Sequence, residues 1–203
     1  MRSILLGTVA AIGLWPAVAS AAITVRPSDA TSAPGQTVAI EVFADPATMT
    51  AGTHEHLNAY TMTVSAVGFA GANDPSFVVP ANFTFEINQD PTHGYVFTAT
   101  DPPFDPTGNS SRNLVFLSAA PGTADTDLSE LRNGFGRIMV SVPANTPGGI
   151  YTLRIDNDFL SLGGSAGTID AVGGVGTFIV GPEPGSTGIL LAAAPLALRR
   201  RRT

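Results

Sequence analysis

Two histidines separated by one residue form the group in the sequence that best resembles a pair of metal ligands. They are His54 and His56, in the segment His54-Glu55-His56. In a strand, both imidazoles would point to one side and could hold a metal ion, with a third ligand such as His93. The alternative, which we favour, is a polar loop or strand edge at which both imidazoles are solvated.

Two acidic segments offer oxygen ligands of the kind that calcium prefers. They are Asp125-Thr126-Asp127 and Asp156-Asn157-Asp158. Neither fits a twelve-residue EF-hand loop, because the sixth-position glycine and the terminal glutamate are missing. Asp and Asn also bond to their own backbone in turns. We therefore interpret both segments as turns and expect no cofactor, with a structural calcium ion as the alternative.

Residues that could perform catalysis do not form a recognisable pattern. No serine lies near a histidine in a catalytic arrangement, and the chain has no cysteine for thiol chemistry or disulfides. A carboxylate pair for glycoside hydrolysis remains an alternative among the sixteen acidic residues. We predict that the protein is not an enzyme.

The charge of the chain is unevenly distributed. Lysine is absent, and four of the ten basic residues are Arg199, Arg200, Arg201 and Arg202. Between residues 22 and 184, sixteen acidic residues oppose five arginines, a net charge of −11. An acidic body without a basic stripe argues against nucleic acid as a partner.

Apolar and polar residues alternate through most of the body. The clearest segments are residues 37–43, 57–66, 137–142 and 150–155. A period of two predicts strands, and the intervening Gly, Pro, Asn and Asp predict turns. We expect about eight to ten strands in an all-β, two-sheet antiparallel sandwich. Residues 123–134 could add one short helical turn, capped by Asp125 or Thr126 and ended by Gly134.

The first 21 residues match an export signal. Arg2 precedes an apolar run from Ile4 to Trp15, and Ala19-Ser20-Ala21 fits the A-x-A cleavage pattern. We expect a signal helix over residues 1–21 and a mature, exported chain that begins near Ala22.

The last 22 residues combine a rigid peptide, a short apolar run and a basic end. The parts are Pro182-Glu183-Pro184-Gly185-Ser186, Gly188–Leu198 and Arg199–Arg202. As a helix, the apolar run would span about 16 Å, roughly half of a hydrocarbon core. The arginines would remain on the cytoplasmic side. We expect a short apolar helix that holds the exported protein transiently in the inner membrane.

The order of these three parts resembles the PEP-CTERM sorting signal of Gram-negative bacteria. The resemblance implies that an exosortase, a membrane transpeptidase, recognises Pro182-Glu183-Pro184 and processes the tail. The chain is then divided into a signal peptide (1–21), a sandwich domain (22–181) and a sorting tail (182–203). Its final location would be the cell surface or the extracellular space.

Three segments of the body resemble the cohesin domain. They are residues 32–45 (SAPGQTVAIEVFAD), 57–68 (LNAYTMTVSAVG) and 134–155 (GFGRIMVSVPANTPGGIYTLRI). The resemblance implies a nine-stranded jelly-roll sandwich, a fold that holds a dockerin on one sheet face. Within the third segment, we expect the Pro147-Gly148 turn to join two strands that pair as a hairpin.

These observations predict an exported structural or binding protein of the cell surface or extracellular matrix. The first alternative is a recognition module for a dockerin-like protein or an extracellular polysaccharide. A flat stacking platform of aromatic rings is not expected for a sugar, and Tyr60, Tyr95 and Tyr151 are the contributors that remain for one. The second alternative is a secreted hydrolase.

Overall fold

The computed structural model describes residues 22–49, 55–78, 94–97, 111–119, 126–165 and 167–181. These residues form strands and two short 3₁₀ turns, Pro46–Thr48 and Asn157–Phe159. The first sheet contains β1 (Ile23–Pro27), β3 (Thr37–Ala44), β5 (Ser76–Phe77), β6 (Gly94–Tyr95), β9 (Arg132–Ser141) and β13 (Ala171–Gly173). The second sheet contains β2 (Ala30–Ser32), β4 (Glu55–Val67), β7 (Leu114–Ala119), β8 (Thr126–Leu128), β10 (Gly149–Ile155), β11 (Ser161–Gly164), β12 (Gly167–Ile169) and β14 (Val175–Val180).

The two sheets confirm the predicted all-β sandwich. The first sheet has the order β13-β1-β3-β9-β5, with β6 also paired to β9. The second has the order β12-β11-β4-β10-β14-β2, and β7 and β8 also pair with β4. The sheets are not purely antiparallel as predicted, because β1 and β13, β2 and β14, and β6 and β9 run parallel. The signal and tail helices lie outside the described residues.

The alternating residues form the core between the sheets. The residues of β4, β9 and β10 that the alternation predicts to face inward are all buried: Tyr60, Met62, Val64, Ala66, Ile138, Val140, Tyr151, Leu153 and Ile155. Tyr60 lies at the centre, where its ring stacks on Phe97 at 5.6 Å and meets Phe135 edge-on at 5.1 Å. The Tyr60 hydroxyl donates to the Phe135 carbonyl oxygen at 2.6 Å. This bond satisfies the one polar group that the ring brings into the core.

The expected Pro147-Gly148 hairpin is wrong. The turn joins β9 and β10, but β9 pairs with β3, whereas β10 pairs with β14 and β4. Both strands bury alternate side chains in the same core, so they lie in opposite layers and the connection crosses between the sheets. The Thr146 amide donates to the Pro143 carbonyl within this crossing.

The short helical turn predicted for residues 123–134 is also wrong where the structure describes it. Residues 126–128 form β8, and backbone bonds between Ser129 and Arg132 close a tight turn into β9. Leu128 is completely buried, and β8 pairs with the start of β4. Strand pairing and this burial outweigh the weak helical preference of the segment.

The first and last strands change sheets together. β1 continues into β2, and β13 continues into β14. Since β1 runs parallel to β13 and β2 runs parallel to β14, these two segments of the chain cross between the layers at the same place. A Cβ on Gly176 would lie 2.5 Å from the Pro27 carbonyl oxygen, so the crossing needs a residue without a side chain there. Side chains complete the crossing, because Asp29 accepts from the Thr177 amide and Asn157 from the Gly173 amide.

Candidate functional site

The predicted histidine and aspartate ligands are only partly within the described residues. His54 and Asp125 lie outside them. His56 is exposed on β4, and the β4–β8 register places it opposite Asp127. In the described part of the chain, no three histidine, cysteine or acidic side chains are grouped closely enough to share a metal ion.

Asp156 and Asp158 occupy a 3₁₀ turn. The Asp156 carboxylate accepts from the Asp158 amide at 3.3 Å and caps the turn that follows. This is the bonding that the turn interpretation predicts.

A serine in a Gly-rich segment matches a hydrolase pattern that the sequence reasoning missed. Gly163-Gly164-Ser165-Ala166-Gly167 has the form G-x-S-x-G. A nucleophile elbow requires a strand followed by a helix. Here the residues on both sides belong to β11 and β12, which pair antiparallel as a hairpin. The segment therefore lacks the setting that activates such a serine.

Two of the three candidate sugar-binding tyrosines cannot stack on a sugar. Tyr60 is 2% exposed and Tyr151 is 8% exposed. Burial raises the pKa of both hydroxyls, and Asp74 raises that of Tyr151 further. Tyr95, on β6, is half-buried. The polysaccharide alternative thus loses most of its proposed contacts.

The outer face of the first sheet carries two ion pairs. Arg26 bonds to Asp45 at 3.0 Å and lies over the Phe43 ring, with 4.8 Å from its guanidinium carbon to the ring centroid. Arg137 and Glu41 form a second ion pair at 3.4 Å. These groups satisfy one another, and the same face also exposes Val172 on β13 (42%) and Met139 on β9 (39%).

The outer face of the second sheet has a different character. Where β4, β10 and β14 lie side by side, their outward residues form rows across the sheet. Arg154 lies between Ser65 and Val175, Thr152 lies between Val67 and Thr177, and Ile150 lies opposite Ile179. We call these eight residues the outer patch. Along β4 the patch ends at Thr63, which is outward-facing but buried.

The outer patch exposes large aliphatic side chains to water. Ile150 is 74% exposed, Val175 60%, Val67 59% and Ile179 40%. Single exposed aliphatic residues are ordinary, whereas several on one sheet face can form part of an interaction surface. Strand register brings these four onto one surface, although they are far apart in sequence.

Arg154 is the one charged residue of the outer patch. Its Nε donates to the Ser65 hydroxyl at 3.0 Å, which holds the side chain along the sheet. The ion pairs among the described residues are formed by Arg26 and Arg137, and Arg154 takes part in none of them. The patch therefore combines aliphatic contacts, two threonine hydroxyls and one cation.

The sorting and cleavage residues predicted from sequence lie outside the described residues. They are Ala19, Ala21, Pro182, Glu183, Pro184, Gly185, Ser186, Arg199, Arg200, Arg201 and Arg202. In the ranges that are described, no helix has the length and apolar character needed to cross a membrane.

Solved structures of cohesin domains are similar to this chain. A type I cohesin, the seventh of ScaB from Pseudobacteroides cellulosolvens, matches with a TM-score of 0.55 and 15% identity over 79% of this chain and 93% of that one. The sixth cohesin of scaffoldin B from Acetivibrio cellulolyticus, solved with a Cel5 dockerin, matches with a TM-score of 0.54 and 13% identity over 79% of this chain and 99% of that one. A non-cellulosomal cohesin from Archaeoglobus fulgidus matches with a TM-score of 0.52 and 12% identity over 83% of this chain and 97% of that one.

These likenesses define the class of the domain, which is a cohesin-like β-sandwich. No protein-family model and no curated protein matches the chain. The TM-scores of 0.52–0.55 establish a shared fold, and the identities of 12–15% leave function to the residues of the site.

Proposed function

We propose that this protein is a non-catalytic, protein-binding module that is exported and retained at the cell envelope. The observation that carries the proposal is the outer patch, where Val67, Ile150, Val175 and Ile179 expose aliphatic surface around Thr152. Several of the similar cohesins were solved in complexes with dockerins, which are proteins. We infer a partner of the same general kind, a compact protein module.

The size of the outer patch fits the centre of a protein interface. Three strands about 4.8 Å apart, followed over four residues, cover about 10 by 14 Å of sheet. A standard interface needs about 800 Å² from each partner. The patch would be its apolar centre, and neighbouring residues such as the half-buried Leu114 and Phe116 of β7 would extend it.

A carbohydrate partner and a hydrolytic activity are less well supported. Sugar recognition usually relies on exposed aromatic rings, whereas the outer patch contains aliphatic residues and threonines. The serine of the G-x-S-x-G segment lies in a hairpin turn, and the similar solved structures are cohesins.

Export and retention rest on the two ends of the chain. The signal peptide supports export, and the PEP-CTERM-like tail supports sorting by an exosortase through Pro182-Glu183-Pro184. Mass spectrometry of protein recovered from the producing cells should find Ala22 at its N-terminus and no trace of Arg199–Arg202. Glu183→Ala should keep the arginines attached. Recovery of Met1, or of an unprocessed wild-type tail, would contradict this part of the proposal.

Photo-crosslinking from the outer patch tests the protein-binding proposal. A genetically encoded diazirine residue replaces Thr152 in the full-length protein, expressed in the cells that produce it. The control carries the same residue at Met139, which is 39% exposed on the outer face of the first sheet. We expect one defined protein crosslinked from position 152 and not from position 139. Equal crosslinking from both positions, or none from 152, would reject the proposal.

A further inference from the structure

The charge of Arg154 gives information about the partner of the outer patch. This inference rests on the proposed function, because it concerns the same surface. Arginine has five N–H donors, and Ser65 accepts only from Nε. The four donors on Nη1 and Nη2 have no hydrogen-bond partner among the described residues. They form the edge of the guanidinium that can bind a carboxylate through two parallel bonds.

The surroundings of Arg154 make its pairing decisive for binding. Val175 lies beside it in register, and Thr152 and Val67 lie one row further along the sheet. A partner that covers these residues removes the guanidinium from water. A desolvated charge that lacks a counter-ion opposes binding strongly, whereas one with a bidentate carboxylate is compensated.

The rest of the domain has the opposite charge. Residues 22–181 contain fifteen acidic residues and five arginines, a net charge of −10. A partner with an acidic contact surface is therefore repelled by most of this molecule, and its attraction is confined to the surroundings of Arg154. No acidic residue belongs to the outer patch.

We propose that the partner of the outer patch is a protein that places an aspartate or glutamate on Arg154, surrounded by apolar contacts to Val67, Val175 and Ile150. Arg154 is then the specificity-determining residue of the interface. A partner with a neutral or basic contact surface is rejected, because it would leave the guanidinium buried without a counter-ion.

Charge variants of the full-length protein, made with the diazirine residue at position 152, test this proposal. Arg154→Glu should lower the yield of the crosslinked product at least tenfold, and Arg154→Lys, which keeps the charge but cannot form two parallel bonds, should lower it less. Replacing an acidic residue in the crosslinked segment of the partner by arginine should restore the yield with Arg154→Glu. A crosslinked segment without an acidic residue would overturn the proposal.

A second pair of variants leaves Arg154 in place. Val175→Glu puts a carboxylate beside Arg154 in register and pairs it internally, so it should lower the yield about as much as Arg154→Glu. Val175→Gln has the same size without the charge and should lower the yield much less. Unfolding temperatures near that of the wild type would show that each variant is folded.

The outcomes separate the two proposals. If position 152 gives no specific crosslink, the proposed function itself fails, and the inference about Arg154 fails with it. If the specific crosslink forms but is unaffected by Arg154→Glu and Val175→Glu, protein binding stands and the acidic partner is overturned.

Discussion

Tyr60 shows how one residue connects the core to a measurable property. Its ring is buried between Phe97 and Phe135, and its hydroxyl donates to the Phe135 carbonyl oxygen. Burial disfavours the phenolate and raises the pKa of Tyr60 well above its ordinary value of 10. The native state therefore keeps a proton that the unfolded chain releases above pH 10.

This difference predicts that the free energy of unfolding decreases at alkaline pH. Below pH 10 both states bind the proton, and above it the unfolded state binds fewer, so stability falls as pH rises. The slope from Tyr60 should approach about 1.4 kcal/mol per pH unit. Urea unfolding between pH 8 and 12 measures it. Lysine and cysteine are absent and the chain has three tyrosines, so few other groups titrate there.

Tyr60→Phe is the matched variant. At pH 7 it should lower the free energy of unfolding by about 1–2 kcal/mol, because the Phe135 carbonyl loses its donor in the core. Above pH 10 its stability should fall less steeply with pH than that of the wild type. Parallel curves for the two proteins would show that Tyr60 does not cause the alkaline loss.

The residues of the outer patch also show where sequence reasoning ended. The inward phase of each strand was predictable, because apolar residues recur with a period of two. Ile150, Val175 and Ile179 occupy the outward phase, where their apolar character was visible in the sequence. The sequence did not show that these residues meet on one surface, because this depends on the register between β10 and β14. These strands pair in the sheet but are separated in the chain by β11, β12 and β13.

At the scale of elements, the sequence predicted strands better than it predicted their partners. Strand segments β3, β4, β9 and β10 follow from alternation alone. Their pairing does not, since β9 and β10 are neighbours in the chain but belong to different sheets. A Pro-Gly turn fixes the direction of the chain locally. Which layer the next strand joins is decided by the core that both strands share.

The joint crossing of β1–β2 and β13–β14 gives an element-scale prediction. Gly176→Ala would place a Cβ 2.5 Å from the Pro27 carbonyl oxygen, and backbone on both sides limits relaxation. We expect a loss of about 2 kcal/mol or more in the free energy of unfolding, measured by urea denaturation. Gly181→Ala is the control, because its Cβ would meet nothing within 4 Å. Equal stability of the two variants would mean that the crossing is looser than the contacts indicate.

The whole molecule has two distinct ends. The chain from Ile23 to Ser32 runs parallel to the chain from Ala171 to Val180. Nine residues of extended chain measure about 30 Å, so Ile23 and Gly181 lie at opposite ends of the sandwich. While the unprocessed tail holds the protein at the membrane, as we propose, the N-terminal end points away from the membrane. The outer patch then lies on the side of the molecule, beginning beside Gly181 at Ile150 and Ile179.

The whole molecule also presents two unlike outer faces. One sheet carries ion pairs that satisfy one another, with Val172 and Met139 exposed on different strands, and the other carries the outer patch, with its four aliphatic residues and Arg154. A protein partner that requires desolvated, apolar contact is expected to use the second face. We therefore claim that the partner binds the second face and not the first.

The dissociation constant of the crosslinked partner, measured for two matched variants of the full-length protein, tests that claim most directly. Thr152→Arg introduces a charge at the centre of the outer patch, and Met139→Arg introduces the same charge on the outer face of the first sheet. We predict that Thr152→Arg weakens binding at least 100-fold, about 2.8 kcal/mol, while Met139→Arg changes it less than threefold. Unchanged binding by Thr152→Arg, or equal weakening by both variants, would contradict the account.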